Sequence, residues 1–100
     1  MQEFRTFQLA SRFYRIAKTV PVSGNLRDQL LRAASSACLN LAEGNARRTT
    51  KDRVRFFNIA FASLRECRAV LMIEDLVQGD AWDALDHASA STYRLIANAR

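Results

Sequence analysis

A chain of 100 residues is the length of one domain, and we expect that domain to cover residues 1–100. Because 49% of the residues are apolar, the composition excludes a disordered chain, and one proline and three glycines favour a few long helices over many short strands. The net charge of +5 comes mostly from arginine, which suits phosphate and carboxylate partners but is also common where codons are GC-rich.

The first predicted helix covers residues 3–20. Its apolar side chains recur at three- and four-residue spacing, which is typical of a helix with one face in a core. We expect Pro21 and Gly24 to end it. The stripe that defines the apolar face is Phe7, Ala10, Tyr14 and Ala17.

The second predicted helix covers residues 25–43. Asn25 is a good N-terminal cap, and Asp28 places a negative charge in the first turn, where it suits the helix dipole. Gly44 and Asn45 are the expected signals of the C-terminus. A short basic loop then leads to the next helix.

The third predicted helix covers residues 50–77, a length of about 40 Å. Thr49 and Asp52 have the spacing of a capping box at its start. The stretch Val70–Ile73 is apolar on every side of the helix. This part of the chain is therefore expected to be buried all round or to meet another chain.

The fourth predicted helix covers residues 80–98, with Asp80 as its cap after a break at Gln78 and Gly79. The connections between the four helices are short, and short connections make consecutive helices antiparallel neighbours. The sequence therefore predicts an all-α fold, an antiparallel up-and-down four-helix bundle.

The second helix also carries a polar stripe on one side. An ordinary solvated face is one interpretation of it. Two features favour a hydrogen-bonded network between helices or subunits instead. Glu43 opposes the helix dipole in the last turn, and Asn40 is a weak helix former in the middle of the helix. The stripe consists of Gln29, Arg32, Ser36, Asn40 and Glu43.

Basic side chains form further stripes on the first and third helices and in the loop before the third. If these surfaces converge, they make a patch that neutralises several phosphates with salt-dependent affinity; solvated surface charge is the alternative. No zinc-finger or helix-turn-helix pattern predicts sequence-specific binding. The hypothetical nucleic-acid contacts are Arg5, Arg12, Arg15, Arg47, Arg48, Lys51, Arg55 and Arg65.

Aromatic side chains on the third and fourth helices could stack on bases, as they do in proteins that bind single strands. At helical spacing such residues are more often part of a core. We interpret Phe56, Phe57, Phe61 and Trp82 as core residues.

The charge is uneven along the chain. Residues 1–68 hold thirteen basic and five acidic side chains, a net charge of +8, whereas residues 69–100 hold two basic and five acidic ones, a net charge of −3. One part of the chain could therefore complement the other, within one molecule or between copies.

No constellation predicts catalysis. His87 is the only histidine, and Ala84 stands where a di-metal bundle would have a glutamate. Cys38 and Cys67 are far apart, without the spacing of a zinc site, and no glycine-rich phosphate loop is present. We expect a protein that is not an enzyme and holds no metal or cofactor.

The sequence predicts no contact with a membrane. The first residues lack the charged start and apolar core of a signal peptide. The longest uninterrupted apolar run, Ala69–Ile73, is far too short to cross a bilayer. We expect a cytoplasmic protein.

Two motifs give the chain a resemblance to a known family. The second helix has Gln29 and Arg32-Ala33 and ends in Asn40-Leu41-Ala42-Glu43-Gly44, and the third has Phe56, Ala60, Ser63 and Glu66. The chain resembles the bacterial four-helix-bundle family that includes proteins encoded in 23S rRNA intervening sequences. That family also includes the accessory variability determinant of diversity-generating retroelements. Ala62 departs from the family pattern, which has glycine there.

The resemblance implies a homopentameric barrel of four-helix bundles with a basic surface proposed to contact nucleic acid. In retroelement relatives the pentamer partners a reverse transcriptase. The resemblance also changes the interpretation of the polar stripe, which becomes a structural network or an interface. The motif residues concerned are Gln29, Arg32, Asn40, Glu43, Ser63 and Glu66.

These patterns lead to two functional hypotheses. The first is an oligomeric bundle that binds RNA or DNA non-specifically through the basic side chains. The second is a protein-interaction scaffold or accessory subunit, whose arginines pair with acidic residues of a neighbouring subunit or another protein.

Overall fold

The structure, a computed structural model, describes residues 2–99, so Met1 and Arg100 of the predicted domain lie outside the described residues. The prediction of an all-α four-helix bundle is confirmed, and residues 2–99 contain no strand. The helices in chain order are α1 (Gln2–Ala17), α2 (Gly24–Ala46), α3 (Thr50–Ile73) and α4 (Asp80–Asn98).

Each helix packs against two neighbours: α1 and α3 each lie between α2 and α4. Consecutive helices are antiparallel, so α1 and α3 begin at the same end of the bundle, where α2 and α4 finish. We call this the α2–α3 loop end and the opposite one the α3–α4 loop end. The bundle measures 39 × 22 × 18 Å, which leaves the two ends well apart.

The core is made of aliphatic side chains, several alanines and two fully buried phenylalanines, Phe13 and Phe57. Small residues on α2 let α3 come close. The helices are in close contact at Gly44, since a Cβ there would lie 2.7 Å from Cε1 of Phe57. The prediction that Gly44 ends the second helix is therefore wrong: α2 continues to Ala46, and the glycine serves the packing of α3.

The first two helices differ from prediction where they are joined. α1 ends at Ala17 rather than at residue 20, because the backbone tightens into a turn before Pro21. In that turn the Thr19 hydroxyl donates to the carbonyl of Ile16 at 2.7 Å. The cap of α2 is Ser23, without a side-chain cap bond, and not the predicted Asn25.

α3 begins as predicted and ends earlier. The Thr49 hydroxyl accepts a hydrogen bond from the Asp52 N–H at 3.2 Å, as the capping motif predicts. The helix stops at Ile73, four residues before the predicted end, where the chain turns through Asp75 in the left-handed region with a φ of 57°. Leu76 N–H then donates to the Leu71 carbonyl at 2.8 Å, which completes a Schellman motif.

α4 covers the predicted residues, but its cap is different. Gly79, with a φ of 98°, occupies the N-cap position, and Asp80 is the first residue of the helix rather than its cap. Among residues 2–99, no helix is both long and apolar enough to cross a membrane.

Candidate functional site

Four of the predicted nucleic-acid contacts lie together at the α2–α3 loop end. Arg47 and Arg48 are in the loop, Lys51 and Arg55 are in the first turns of α3, and all four side chains are exposed. The Thr49 cap turns the chain into α3 directly after the two arginines. The N-terminus of α3 adds a partial positive charge to the same surface. We call these four residues the basic end.

Within the basic end, two guanidinium groups share one aromatic ring. The guanidinium carbon of Arg55 lies 4.5 Å from the centre of the Phe56 ring, and that of Arg47 lies 4.8 Å from it. Arg47 also pairs with Glu43 at 2.6 Å between Nη2 and Oε2. These contacts restrict where the two guanidinium groups can lie before any ligand arrives.

The interpretation of the four aromatic side chains as core residues is correct for Phe57 alone, which is 1% exposed. Phe56 is half-buried beneath the two guanidinium groups. Phe61 and Trp82 pack against the edge of the core and remain half-buried. The apolar periodicity shows which side of a helix faces inward, but it does not show how far from the core axis a ring lies.

The other predicted contacts lie elsewhere. Arg12 and Arg15 line a recess beside the loops of the α3–α4 loop end. Arg5 lies in a groove between α1 and α4, together with Arg94, and Arg65 lies in the groove between α3 and α4. Because α1 and α3 occupy opposite corners of the bundle, a single chain does not bring the arginines of α1 and α3 into one recess.

The polar stripe of α2 forms a hydrogen-bonded connection to α3. Ser63 Oγ lies 3.1 Å from Ser36 Oγ, and Asn40 Nδ2 donates to the Ser36 carbonyl at 2.8 Å. Of the other motif residues, Gln29 and Arg32 are exposed on α2. Glu66 is exposed on α3, and Glu43 is held by Arg47.

The sequence did not single out Arg53, which joins three helices at the α2–α3 loop end. Its Nη2 lies 3.2 Å from Oε2 of Glu3 on α1, and its Nη1 donates to the Asn45 carbonyl on α2 at 3.3 Å. The same guanidinium lies over the ring of Phe57 at 5.7 Å. Arg53 thus fixes the end of the bundle, while the side chains of the basic end remain exposed.

The α3–α4 loop end carries charges of both signs. Four exposed carboxylates lie in the loop and in the first turn of α4: Glu74, Asp75, Asp80 and Asp83. The acidic side chains of the last third of the sequence therefore gather at this end, where Arg12 and Arg15 also lie.

Neither cysteine has the environment of a nucleophile. Burial, with a smaller contribution from Glu66, raises the pKa of Cys67 to about 12, and burial also raises the pKa of Cys38. Both thiols stay protonated at neutral pH. Among residues 2–99, no three His, Cys, Asp or Glu side chains are grouped to hold a metal ion.

The sequence profile described as 23S rRNA-intervening sequence protein matches residues 4–79, three quarters of the chain and all of α2 and α3. The chain belongs to this family. The match contains the basic end and the stripe that joins Ser36, Asn40 and Ser63, so both are features of a family member.

A solved structure supports the fold of this family member. It is a crystal structure of a protein of unknown function from the S23 ribosomal protein family of Bacteroides thetaiotaomicron, with a TM-score of 0.64 and 15% identity. The similarity covers 99% of this chain and 94% of that chain. No curated protein matches the chain.

The departure from the family pattern on α3 leaves the bundle intact. Ala62 is exposed, so its methyl group does not enter the contact between α2 and α3. Glu43 and Gly44 have two separate roles: the glutamate pairs with Arg47, and the glycine makes room for Phe57.

Proposed function

We propose that this member of the 23S rRNA-intervening sequence protein family is a cytoplasmic, oligomeric protein without enzymatic activity that binds RNA or DNA non-specifically. The basic end is its main contact surface. The observation that carries the proposal is that Arg47, Arg48, Lys51 and Arg55 are all exposed within nine residues of chain at the N-terminus of α3.

The chemistry of this surface fits a phosphate backbone. Guanidinium groups donate hydrogen bonds in a planar fork that matches phosphate oxygens. The N-terminus of a helix also favours the negative charge of a phosphate. Four phosphate contacts to a single strand give a slope of about −3 in log affinity against log salt. A fourfold rise in salt is then expected to weaken binding roughly fifty-fold.

Oligomerisation is part of the proposal. Met72, 54% exposed, and Ile73, 66% exposed, leave apolar surface uncovered at the end of α3, and Val77 adds to it. Several copies would present several basic ends to one strand and strengthen binding by avidity. We propose a homopentamer, as the family resemblance implies, and light scattering that gives a stable monomer at micromolar concentration would refute it.

The experiment for nucleic-acid binding is a titration of fluorescently labelled RNA with the protein at low and moderate salt. We expect binding at low salt that weakens steeply as salt rises. The double variant Arg48→Glu with Lys51→Glu should lose most of the affinity, because it reverses two exposed charges of the basic end.

The matched control reverses two charges at the other end, Lys18→Glu with Arg27→Glu, and should keep most of the affinity. The net charge of the two double variants is the same, so a difference between them reports position. Failure of the wild-type protein to bind at low salt, or an affinity indifferent to salt, would reject the proposal.

A second function is favoured by the exposed carboxylates that gather at the α3–α4 loop end. The exposed carboxylates of the α3–α4 loop end suit the arginines of a neighbouring copy or of another protein, as expected of a scaffold or of an accessory subunit, for example of a reverse transcriptase. Arg47→Glu with Arg48→Glu separates the two functions. If this variant disrupts assembly and leaves nucleic-acid affinity unchanged, the scaffold function is favoured.

A further inference from the structure

The groove between α3 and α4 carries both aromatic rings and guanidinium groups. Near the α3–α4 loop end, the guanidinium of Arg68 lies 4.6 Å from the ring centre of Trp82. Farther along, Phe61 and Tyr93 lie with their ring centres 6.1 Å apart and their planes tilted by 51°. Arg65 lines the recess between these two aromatic sites. We call this surface the aromatic groove.

Tyr93 is the feature of the groove that the fold does not explain. Its side chain is 61% exposed, although it contacts Phe61. Phe61 and Trp82 are half-buried at the edge of the core. An exposed tyrosine beside the half-buried ring of Phe61 leaves π surface accessible to a flat ligand.

We propose that the aromatic groove binds the bases of a single-stranded nucleic acid, while Arg65 and Arg68 contact its phosphates. The inference rests on the proposed function and adds a second surface to it. The basic end holds a phosphate backbone of any kind, whereas the aromatic groove selects strands whose bases are free to stack.

The spacing along the groove fits more than one nucleotide. Trp82 and Tyr93 are eleven residues apart on α4, which is about 16 Å at the rise of an α-helix. Base stacking on aromatic side chains tolerates any sequence, and guanidinium groups between the rings meet the backbone. In a duplex the bases are already stacked on one another, so the groove gains little from a double strand.

One carboxylate opposes this ligand. Asp86 lines the same recess as Arg65 and Arg68, and it is exposed. A phosphate bound by the two arginines would be repelled by it. Removal of this charge should therefore tighten binding, an effect that a residue with only a structural role would not produce.

The experiment titrates the protein with a labelled 15-nucleotide strand and measures both the affinity and the tryptophan fluorescence of the protein. Trp82 is the only tryptophan of the chain, so its fluorescence reports directly on the groove. Uridine and thymidine strands separate RNA from DNA, and a duplex of the same length is the comparison. We expect Trp82 emission to be quenched by at least one of the two single strands, and that strand to bind at least fivefold more tightly than the duplex.

Two pairs of variants sharpen the test. Tyr93→Ser should weaken single-strand binding about tenfold, whereas Phe4→Ser, at another exposed aromatic position, should not. Asp86→Asn should strengthen binding, whereas Asp83→Asn, one turn earlier on α4, should have a smaller effect. Circular dichroism checks that each variant keeps its helices.

The outcomes distinguish this inference from the proposed function. If the wild-type protein binds no strand at low salt, both fail. A second outcome is that the protein binds single strands and duplexes with equal affinity, without a change in Trp82 emission and without an effect of Tyr93→Ser on affinity. That result rejects the aromatic groove and leaves the proposed function standing. If Tyr93→Ser changes the oligomeric mass and leaves affinity unchanged, the groove is a contact between copies and the inference is overturned.

Discussion

Asp75 determines where α3 stops. Its φ of 57° lies in the left-handed region, which a glycine occupies without strain and a β-branched residue strongly disfavours. The turn is held by the Asp75 N–H, which donates to the Met72 carbonyl at 3.1 Å. The carboxylate also opposes the helix dipole at this position.

We therefore predict opposite effects from two substitutions at this residue. Asp75→Gly should stabilise the protein by about 1 kcal/mol, a rise in Tm of roughly 4–8 °C. Asp75→Val should destabilise it by at least a similar amount. Thermal unfolding at fixed protein concentration measures both, with Asp75→Asn as the variant that changes the charge alone. Equal Tm values for the glycine and valine variants would contradict this role.

Gly44 illustrates how one residue type has different roles at different places. In an exposed helix, glycine to alanine stabilises by about 1 kcal/mol. At Gly44 the added Cβ would lie 2.7 Å from Cε1 and 2.8 Å from Cδ1 of the buried Phe57 ring. Because that ring is packed in the core, Gly44→Ala should instead destabilise the protein by about 1–2 kcal/mol.

Chemical denaturation measures this effect. The control is Ala42→Gly on the exposed side of α2, which should cost about 1 kcal/mol by helix propensity alone. A Gly44→Ala variant as stable as the wild type would show that α2 and α3 are not in close contact at this point.

At the scale of the helix, the start of α3 matters most for the candidate site, because the basic end is built on it. Thr49→Ala removes the hydroxyl that accepts from the Asp52 N–H. We predict a loss of about 1 kcal/mol, measured by urea denaturation. Thr50→Ala, one residue later and exposed, should change stability by a few tenths of a kcal/mol at most. Equal losses in the two variants would mean that Thr49 does not cap the helix.

The number of helices could be predicted from the sequence, but the ends of α1, α2 and α3 could not. The apolar periodicity within each helix and the breaks at Pro21 and Gly79 are local signals, so they can be recognised in the sequence alone. The end of α3 was missed because an aspartate, not a glycine, takes the left-handed position. The end of α2 was misplaced because Gly44 is there to admit Phe57, and a contact between helices leaves no local signal.

At the scale of the whole molecule, the basic end was predictable in part. Arg47, Arg48 and Lys51 are close in sequence, so their proximity in space follows from the chain itself. The contact of Arg53 with Glu3 joins positions fifty residues apart, and it depends on how α1 and α3 are aligned across the bundle. The pairing of Phe61 with Tyr93 depends in the same way on the alignment of α3 with α4.

The position of the acidic side chains in the bundle also belongs to this scale. The sequence shows that the first two thirds of the chain are basic and the last third is acidic. Only the antiparallel arrangement places the exposed carboxylates of the α3–α4 loop opposite the basic end, along an axis of 39 Å.

The measurement that most directly tests the central claim is the slope of log affinity against log salt for a short labelled RNA strand. For a strand short enough to contact a single basic end, we predict a slope of about −3 with the wild-type protein. The variants Arg48→Gln and Lys51→Gln each remove one positive charge and should each reduce the magnitude of the slope by about 0.7. Lys18→Gln, at the other end of the bundle, should leave the slope unchanged. A slope near zero, or one that the variants of the basic end leave unchanged, would contradict the assignment of this surface to nucleic acid.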